Sequence, residues 1–503
     1  MSKELGTNRF PIQSLFSARL LLAPRLAEGR VYFLSDMSGV ISLYAMDQHG
    51  SIPEPMLPSG LALQNPHLII GYNYFVLPRL HKILVMIDEN GNENYQPCFI
   101  PLDGGIPEPV FGAKYANEQL ACLHCDTKEN IAYFFRDDRK TPNLECLRVN
   151  LTTLETTSLG KSMYGNAFNT ANPDHSTVIL SDGYTAGDNV LFIWREEKPE
   201  RQLLYGIPIE KRTKDQQIKL PSIGTCNFTP DGKGLLFRSC LFRDEGTPSY
   251  LSLEDPSNIT QVSISGTLHK GTGELVDIRL VDSNLFLVEY NIDGCSWVYE
   301  CRLYGNDGAR RLQVERTLCG LPPLDQGVQL GVEFEVQENS TKPRVGYVLT
   351  FTRASSPAQL YLYQAEALSE APKTLSRERV LGIDQKFLSF GEDASYTSFD
   401  GLRISARLYM PSDYLGFKGS RPLVLYVHGG PQGQERPDFT WFSMPLIQFL
   451  TLNGFAIFVP NVRGSTGYGL SYMKMVDHDW GGKDVLDQVE GLKMLEKDSR
   501  IDS

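Results

Sequence analysis

Two adjacent glycines, Gly429 and Gly430, follow a run of apolar residues in the sequence LVLYVHGGP at residues 423–431. Glycine has no side chain, so the pair lets the backbone turn sharply and leaves its N–H groups unobstructed. A fixed N–H beside a reacting carbonyl stabilises the negative charge that develops on the oxygen during acyl transfer. The N–H of Gly430 is therefore a candidate oxyanion donor. The alternative is a tight turn at the end of a strand, with no chemistry.

Two further motifs follow in the chain, NVRGSTGYG at residues 461–469 and WGGKDVLD at residues 480–487. HGGP, then N-x-R-G-S-T-G-Y-G, then W-G-G-x-D-x-x-D in this order closely resembles the prolyl oligopeptidase family of serine peptidases. The nearest likeness is to its acylaminoacyl-peptidase and dipeptidyl-peptidase-like branch. The resemblance is specific over about residues 388–503.

The resemblance implies a role for each matching position. Gly430 would supply the oxyanion-hole N–H. The substrate side would be shaped by Gly429, Pro431, Arg463, Gly464 and Tyr468. Structural roles would fall to His428, Trp480, Asp484 and Asp487, so His428 is not assigned as a catalytic base.

The nucleophile of such an enzyme lies in G-x-S-x-G on a sharp turn between a strand and a helix. No G-x-S-x-G occurs in the 503 residues. The nearest candidate, Ser471 in GLSYM, lacks the last glycine, and Ser296 in GCSWV falls in a turn between two strands. In the family the strand before the serine begins just after the helix that ends here near Asp498. We therefore expect that the catalytic Ser, Asp and His are not present in this chain, that the sequence is truncated before the serine, and that the fragment alone is inactive.

The elements around these motifs have the pattern of a parallel α/β sheet. A hairpin is predicted to turn at Asp400-Gly401, and RPLVLYVHGG and FAIFVPNVRG are predicted to be buried strands. FSMPLIQFLTLNG has helical spacing and a stop at Asn453-Gly454. GGKDVLDQVEGLKMLEKD predicts an amphipathic helix with its apolar stripe on Val485, Val489, Leu492 and Leu495. We interpret residues 388–503 as the N-terminal half of an α/β-hydrolase domain.

Residues 20–385 repeat one sequence pattern, in which a run of β-branched or aromatic residues ends in a Gly/Asp/Asn turn and a second such run follows. The starts recur at intervals of roughly fifty residues, a period typical of propeller blades. Four-stranded blades closed into a ring hide their edges, which fits this spacing better than a two-sheet sandwich. The sequence predicts an all-β propeller of about seven blades.

The composition of the chain argues against several other classes of protein. A formal net charge of −12, without a basic stripe, argues against a nucleic-acid surface. No apolar window has the length of a membrane span, and the N-terminus does not have the pattern of a secretory signal. The nine cysteines suit reduced thiols in a cytoplasmic protein. The pair Cys122 and Cys125 has no second pair to complete a metal site, so we expect no metal and no cofactor.

The function predicted for the complete protein is hydrolysis of peptide bonds in short peptides by a serine peptidase, through an acyl-enzyme. Two alternatives stay open. One is an esterase on the same fold, and the other is a propeller interaction module whose hydrolase part is not catalytic. Self-association is also left open.

Overall fold

The structure is a computed structural model that describes residues 10–214, 216–305, 309–337, 344–365, 371–430, 432–440 and 443–502. It contains seven consecutive β-sheets followed by a mixed α/β sheet. A short helix, Ile12–Leu15 (α1), precedes the first sheet and contacts a helix of the α/β part. No helix in the described ranges is both long enough and apolar enough to cross a membrane.

The seven sheets are the blades of a propeller, and the predicted fold class and number of blades are confirmed. The strands of blades 1 and 2 are Leu22–Ala27 (β1), Arg30–Ser35 (β2), Ser42–Asp47 (β3), Glu54–Pro55 (β4), Tyr74–Leu77 (β5), Lys82–Ile87 (β6), Gln96–Pro101 (β7) and Glu108–Pro109 (β8). Those of blades 3 and 4 are Gln119–Asp126 (β9), Ile131–Asp137 (β10), Leu144–Asn150 (β11), Thr156–Ser162 (β12), Ala167–Ala171 (β13), Thr177–Thr185 (β14), Asp188–Arg195 (β15) and Lys198–Tyr205 (β16).

The strands of the other three blades are bounded as follows. Blade 5 has Asn227–Phe228 (β17), Gly234–Ser239 (β18), Thr247–Ser252 (β19) and Ile259–Gln261 (β20). Blade 6 has Ser263–Ser265 (β21), Gly273–Asp282 (β22), Leu285–Ile292 (β23), Cys295–Tyr304 (β24) and Arg311–Cys319 (β25), and β21 pairs in parallel with the last of these. Blade 7 has Val328–Gln337 (β26), Arg344–Arg353 (β27), Ser356–Tyr363 (β28) and Lys373–Thr374 (β29).

The second strand of blade 1 shows why the blades stack. Successive side chains of a strand point to opposite faces of its sheet. In β2, Phe33 belongs to a cluster with Leu360 of blade 7, while the next residue, Leu34, belongs to a cluster with Ile83 of blade 2. A strand that is apolar on both faces is buried only when a neighbouring blade covers each face, so the sequence of β2 requires stacking on both sides.

The ring closes between blades 1 and 7. The inner strands of successive blades touch from β9 through β13, β17 and β22 to β26, which in turn contacts β1. Blade 1 is built only from strands within residues 22–55 and blade 7 only from strands within 328–374, and among the described residues no strand pairs one with the other. The same holds for the other neighbouring blades of the described chain, but blades 1 and 7 are the neighbours that are not consecutive in sequence. The backbone N–H of Glu28 donates to Glu335 across this seam at 3.3 Å. The guanidinium of Arg25 lies 3.9 Å from the carboxylate of Glu333 across this seam.

The α/β part follows the last blade. Its strands are Glu392–Asp393 (β30), Tyr396–Thr397 (β31), Arg403–Tyr409 (β32), Arg421–Leu425 (β33), Ala456–Asn461 (β34) and Ile501–Asp502 (β35). Its helices are Ser443–Leu452 (α2), Leu470–Lys474 (α3) and Lys483–Leu495 (α4). The sheet order is β30-β32-β34-β33-β35, with β33 parallel to both of its neighbours. The domain boundaries 20–385 and 388–503 stay a prediction.

Three predicted elements of this part are confirmed. Strands β31 and β32 form an antiparallel hairpin, and the N–H of Gly401 donates to the carbonyl of Ser398 in its turn. Helix α2 ends just before Gly454, whose φ is +89°. All six residues of β34 are buried.

Two details of the prediction are wrong. Strand β33 is half-buried rather than buried on both faces, because on one side it meets only the two-residue strand β35. Helix α4 buries only part of the predicted stripe, since Leu495 is buried and Leu492 packs against the same cluster, whereas Val485 and Val489 are exposed. The buried residues of α4 are Asp484, Asp487, Gly491 and Leu495.

Candidate active site

The turn after β33 carries the two glycines. The N–H of Tyr426 donates to the carbonyl of Phe458 at 2.8 Å, and the chain then leaves the sheet. Gly430 has a φ of +135°, and a Cβ there would lie 2.5 Å from the backbone N of Gln432. A Cβ at Gly429 would meet nothing within 4 Å. The turn therefore requires glycine at position 430 but not at 429.

The N–H of Gly430 is available to a ligand. Both glycines are exposed. Within the described parts of the chain, no group accepts a hydrogen bond from the Gly430 N–H. An unpaired N–H at the surface can donate to a carbonyl oxygen supplied from outside. Pro431, also predicted to lie on the substrate side, falls outside the described residues.

His428 is bound to a serine of the neighbouring loop. Its Nε2 lies 2.9 Å from Oγ of Ser465. The hydroxyl of Ser465 also lies 2.7 Å from the carbonyl of Val462, and Nδ1 of His428 lies 3.0 Å from the carbonyl of Gly429. A Ser–His contact can mark an activated nucleophile, but Ser465 is fully buried, so a substrate does not reach its hydroxyl. Burial lowers the pKa of His428. The pair fastens two loops together, and the sequence analysis missed it.

Arg463 lies inside the domain. Its side chain is 4% exposed and forms ion pairs with Asp487 at 2.7 Å and Asp400 at 2.8 Å. Its Nε also donates to Asp487 at 2.8 Å, so each of its three nitrogens is bound to a carboxylate. The hydrogen bonds from Arg463 lower the pKa of Asp400. The guanidinium orders the start of the loop after β34, and a direct contact of Arg463 with substrate stays a prediction.

Tyr468 lies beneath the turn, where it is buried among polar groups. Its hydroxyl accepts from Nε2 of Gln434 at 2.9 Å and from Nδ2 of Asn461 at 3.2 Å. Burial raises the pKa of Tyr468. Asn461 also binds the backbone of Glu435, accepting from its N–H at 2.9 Å and donating to its carbonyl at 3.2 Å. The tyrosine and asparagine thus hold the loop after β33 against the loop after β34.

Glu435 is a buried acid that the sequence analysis missed. Burial raises its pKa to about 7, although Oγ of Ser443 donates to Oε1 at 2.7 Å and thereby favours the charged form. It immediately follows the segment 428–434 that shapes the turn. A glutamate in a polar loop gives no signal in the sequence that it is buried.

Two other residues named from the motifs differ in exposure, and their structural roles stay a prediction. Trp480 is 73% exposed, and Asp484 is buried in the first turn of α4. Ser471 is the second residue of α3, and its hydroxyl donates to Asp244 of blade 5 at 2.7 Å. This geometry differs from a sharp turn after a strand, in agreement with the rejection of Ser471 as nucleophile.

Comparison with protein families and curated proteins finds similar proteins for part of the chain. The model of the prolyl oligopeptidase family matches residues 440–503. An uncharacterized peptidase of Bacillus subtilis, YuxL, is 29% identical over 157 residues, 31% of this chain and 23% of its own length. A probable dipeptidyl-peptidase 5 of Aspergillus terreus is 30% identical over 118 residues, 23% of this chain and 16% of its own length.

The match to the prolyl oligopeptidase family therefore lies in the C-terminal part of the chain, at residues 440–503. The similar regions cover less than a quarter of either curated relative. These homologues are named as peptidases, and the predicted resemblance to the family is confirmed.

Solved structures share the architecture of almost the whole chain. A puromycin-hydrolyzing peptidase of Mycobacterium tuberculosis matches 98% of this chain and 73% of its own with a TM-score of 0.70 at 14% identity. An acylaminoacyl peptidase of Pyrococcus horikoshii matches 98% of this chain and 73% of its own with a TM-score of 0.63 at 13% identity. At this identity the likeness establishes the fold, a propeller followed by an α/β region.

Proposed function

We propose that this chain forms the propeller (residues 20–385) and the first part of the hydrolase domain (residues 388–503) of a serine peptidase that cleaves short peptides. Cleavage would pass through an acyl-enzyme, with serine as nucleophile, histidine as base and acid, and aspartate as the residue that orients the histidine. None of these three is assigned within the 503 residues, which contain no G-x-S-x-G. The chain alone would then be inactive.

The observation that supports this proposal is that Gly430 is exposed and that no group among the described residues accepts a hydrogen bond from its N–H. A preorganised donor stabilises charge as it develops on the carbonyl oxygen, and it needs no reorganisation at that moment. Removing one such donor lowers kcat by about 10²–10³-fold in characterised hydrolases. Gly429 borders the same turn, and Arg463 and Tyr468 would shape the substrate side by ordering the backbone beneath it.

The substrate class and compartment are supported by two further facts. The curated relatives include a probable dipeptidyl-peptidase, and a peptide bond is the bond that such an enzyme cleaves. All nine cysteines are free, eight of them buried, which suits a reducing compartment such as the cytoplasm.

A fluorophosphonate probe tests the proposal, because it labels activated serines. The 503-residue chain should remain unlabelled. The product of the complete reading frame should be labelled at a serine beyond residue 503 and should hydrolyse short peptide amides. Labelling of the 503-residue chain would contradict the absence of a nucleophile. Hydrolysis of esters alone by the complete product would favour the esterase, and neither labelling nor hydrolysis would favour the interaction module.

Two neighbouring glycines give a matched pair of variants for the complete protein. Gly430→Ala places a Cβ 2.5 Å from the backbone N of Gln432, so the turn must shift. We expect kcat for peptide hydrolysis to fall about 10²–10³-fold. Gly429→Ala adds a Cβ that meets nothing within 4 Å, and kcat should remain within about threefold of the wild type. Equal effects of the two substitutions would remove Gly430 from the mechanism.

A further inference from the structure

Two carboxylates of the propeller bind the backbone of the loop after β34. Glu274 on β22 accepts from the N–H of Gly467 through one oxygen and from the N–H of Gly469 through the other, each at 3.2 Å. Asp244, in the loop between β18 and β19, accepts from the N–H of Ser471 at 2.9 Å and from its Oγ at 2.7 Å. Hydrogen bonds to an ionised acceptor are stronger than neutral ones. Blades 5 and 6 thus bind residues 467–471 of the α/β domain through hydrogen bonds.

The same contacts account for the glycines of the G-Y-G sequence. Gly467 and Gly469 have φ values of +96° and +102°. A Cβ at Gly467 would lie 2.8 Å from Nε2 of Gln434 in the α/β domain and 2.9 Å from Nδ2 of Asn291 in the propeller, and a Cβ at Gly469 would overlap Oδ2 of Asp244. Both domains therefore crowd position 467, and the propeller crowds position 469. These glycines are therefore interface residues.

The loop at residues 467–471 and the residues just before it are also hydrogen-bonded to the turn that carries Gly430. The N–H of Thr466 donates to the carbonyl of Gly433 at 2.9 Å, three residues after Gly430. The Ser465–His428 bond holds the other side of the turn. The propeller also reaches the turn directly, because Nδ2 of Asn291 donates to Gln434 Oε1 at 2.6 Å.

We propose that Asp244 and Glu274 are positioning residues, through which the propeller orders the loop at residues 462–471 and with it the turn of Gly430. Their carboxylates accept hydrogen bonds from backbone amides of the α/β domain. The loop that contains these amides is itself hydrogen-bonded to the turn that carries the candidate oxyanion donor. The ordering of the loops stands on these contacts alone, and only its consequence for catalysis rests on the proposed function.

Amide hydrogen exchange on the 503-residue chain tests the ordering without any activity. The informative amides are Gly464 and Thr466, which donate to the carbonyls of Tyr472 and Gly433 inside the α/β domain and not to the propeller. In the double variant Asp244→Ala/Glu274→Ala these two amides should exchange at least about tenfold faster. Amides of the blades should keep their protection.

Three further variants make the test specific. Asp244→Asn keeps an acceptor oxygen and should restore most of the protection lost in Asp244→Ala. Asp255→Ala removes an exposed carboxylate of the same blade that accepts from Oγ of Ser257, and it should leave Gly464 and Thr466 unchanged. Ser471→Ala deletes one hydrogen bond at an exposed position, so it reports on the contact even if the double variant fails to fold. It should speed exchange of both amides by a few-fold.

A double-mutant cycle separates this contact from general strain. Gly469→Ala drives a Cβ into the carboxylate of Asp244, so its cost should be smaller in the Asp244→Ala background than in the wild type. Unchanged exchange at Gly464 and Thr466 in the double variant, or additive costs in the cycle, would overturn the proposal. A positive exchange result beside an inactive complete protein would preserve the positioning role and reject the proposed function.

Discussion

At the scale of single residues, Glu435 is the group whose surroundings most alter its chemistry. It is 8% exposed, its hydrogen-bond partner is a neutral hydroxyl, and Asp438 adds a nearby negative charge. Removing a carboxylate from water without a cation favours its neutral form. Folding therefore raises the pKa of Glu435 from 4.5 to about 7.

This raised pKa makes stability depend on pH. Between pH 4.5 and about 7 the folded chain keeps a proton that the unfolded chain releases, so the free energy of unfolding falls as the pH rises. Above pH 7 the loss from this carboxyl amounts to about 3 kcal/mol. Glu435→Gln removes the titration, and its stability relative to the wild type should increase from pH 4.5 to 7 and then level off. Urea unfolding across that range measures the difference.

Ser443→Ala supplies the matched comparison for Glu435. It deletes the hydroxyl that favours the charged carboxylate, so the decline in stability should continue to a higher pH than in the wild type. A constant difference between Glu435→Gln and the wild type at every pH would show that folding does not shift the pKa of Glu435.

At the scale of elements, Arg463 joins three parts of the α/β domain. It lies just after β34, one of its partners is Asp400 in the β31–β32 hairpin turn, and the other is Asp487 in α4. Oγ of Ser398 also donates to Asp487 at 2.6 Å. The ion pair therefore fixes the helix and the hairpin against the end of the central strand.

Breaking this buried pair should be costly. Arg463→Met keeps the apolar stem but leaves Asp487, which is fully buried, without its cation, and we expect a loss of about 3–5 kcal/mol. Arg500→Met breaks the ion pairs with Glu392 and Asp498. The side chain of Arg500 is 48% exposed, so this substitution should lower the free energy of unfolding by about 1 kcal/mol or less. Denaturant unfolding of the α/β domain measures both. Equal losses would contradict a special role for burial.

The ion pair also shows what the sequence could predict about elements and what it could not. The 3.6-residue period predicted α4 correctly, but the apolar stripe predicted only part of its buried face, which includes Leu495 and not Val485 or Val489. Asp487 faces inward because it forms an ion pair there with Arg463. Gly491 also faces inward, where it lies so close to Phe458 that a Cβ would come within 2.6 Å of the ring. Both reasons depend on partners distant in the chain, which periodicity does not detect. Likewise, the glycines at residues 429 and 430 were sufficient to predict the turn. The burial of Arg463 was not predicted, because its partners Asp400 and Asp487 are distant in the chain.

At the scale of the whole molecule, the repeat period was sufficient to predict the propeller. Each blade is a local unit whose strands follow one another, so alternation and turn residues report it directly. The contacts between the domains left no such signal. Asp244 and Glu274 look like solvated charges in the sequence, and only the fold brings them to Gly469 and Gly467.

The seam between blades 1 and 7 should be the weakest place in the ring, because these two neighbouring blades, unlike the others, are not consecutive in the chain. Gly331 on β26 faces this seam, and a Cβ there would lie 2.8 Å from Cδ of Pro24 on β1. Gly331→Ala should push the two blades apart and speed amide exchange in Leu22–Ala27 and Val328–Gln337 by about tenfold. Gly183→Ala, in strand β14 of blade 4, adds a Cβ that meets nothing within 4 Å and should leave all blades protected. Faster exchange in all seven blades of Gly331→Ala would mean that the ring opens as one cooperative unit, with no preferred seam.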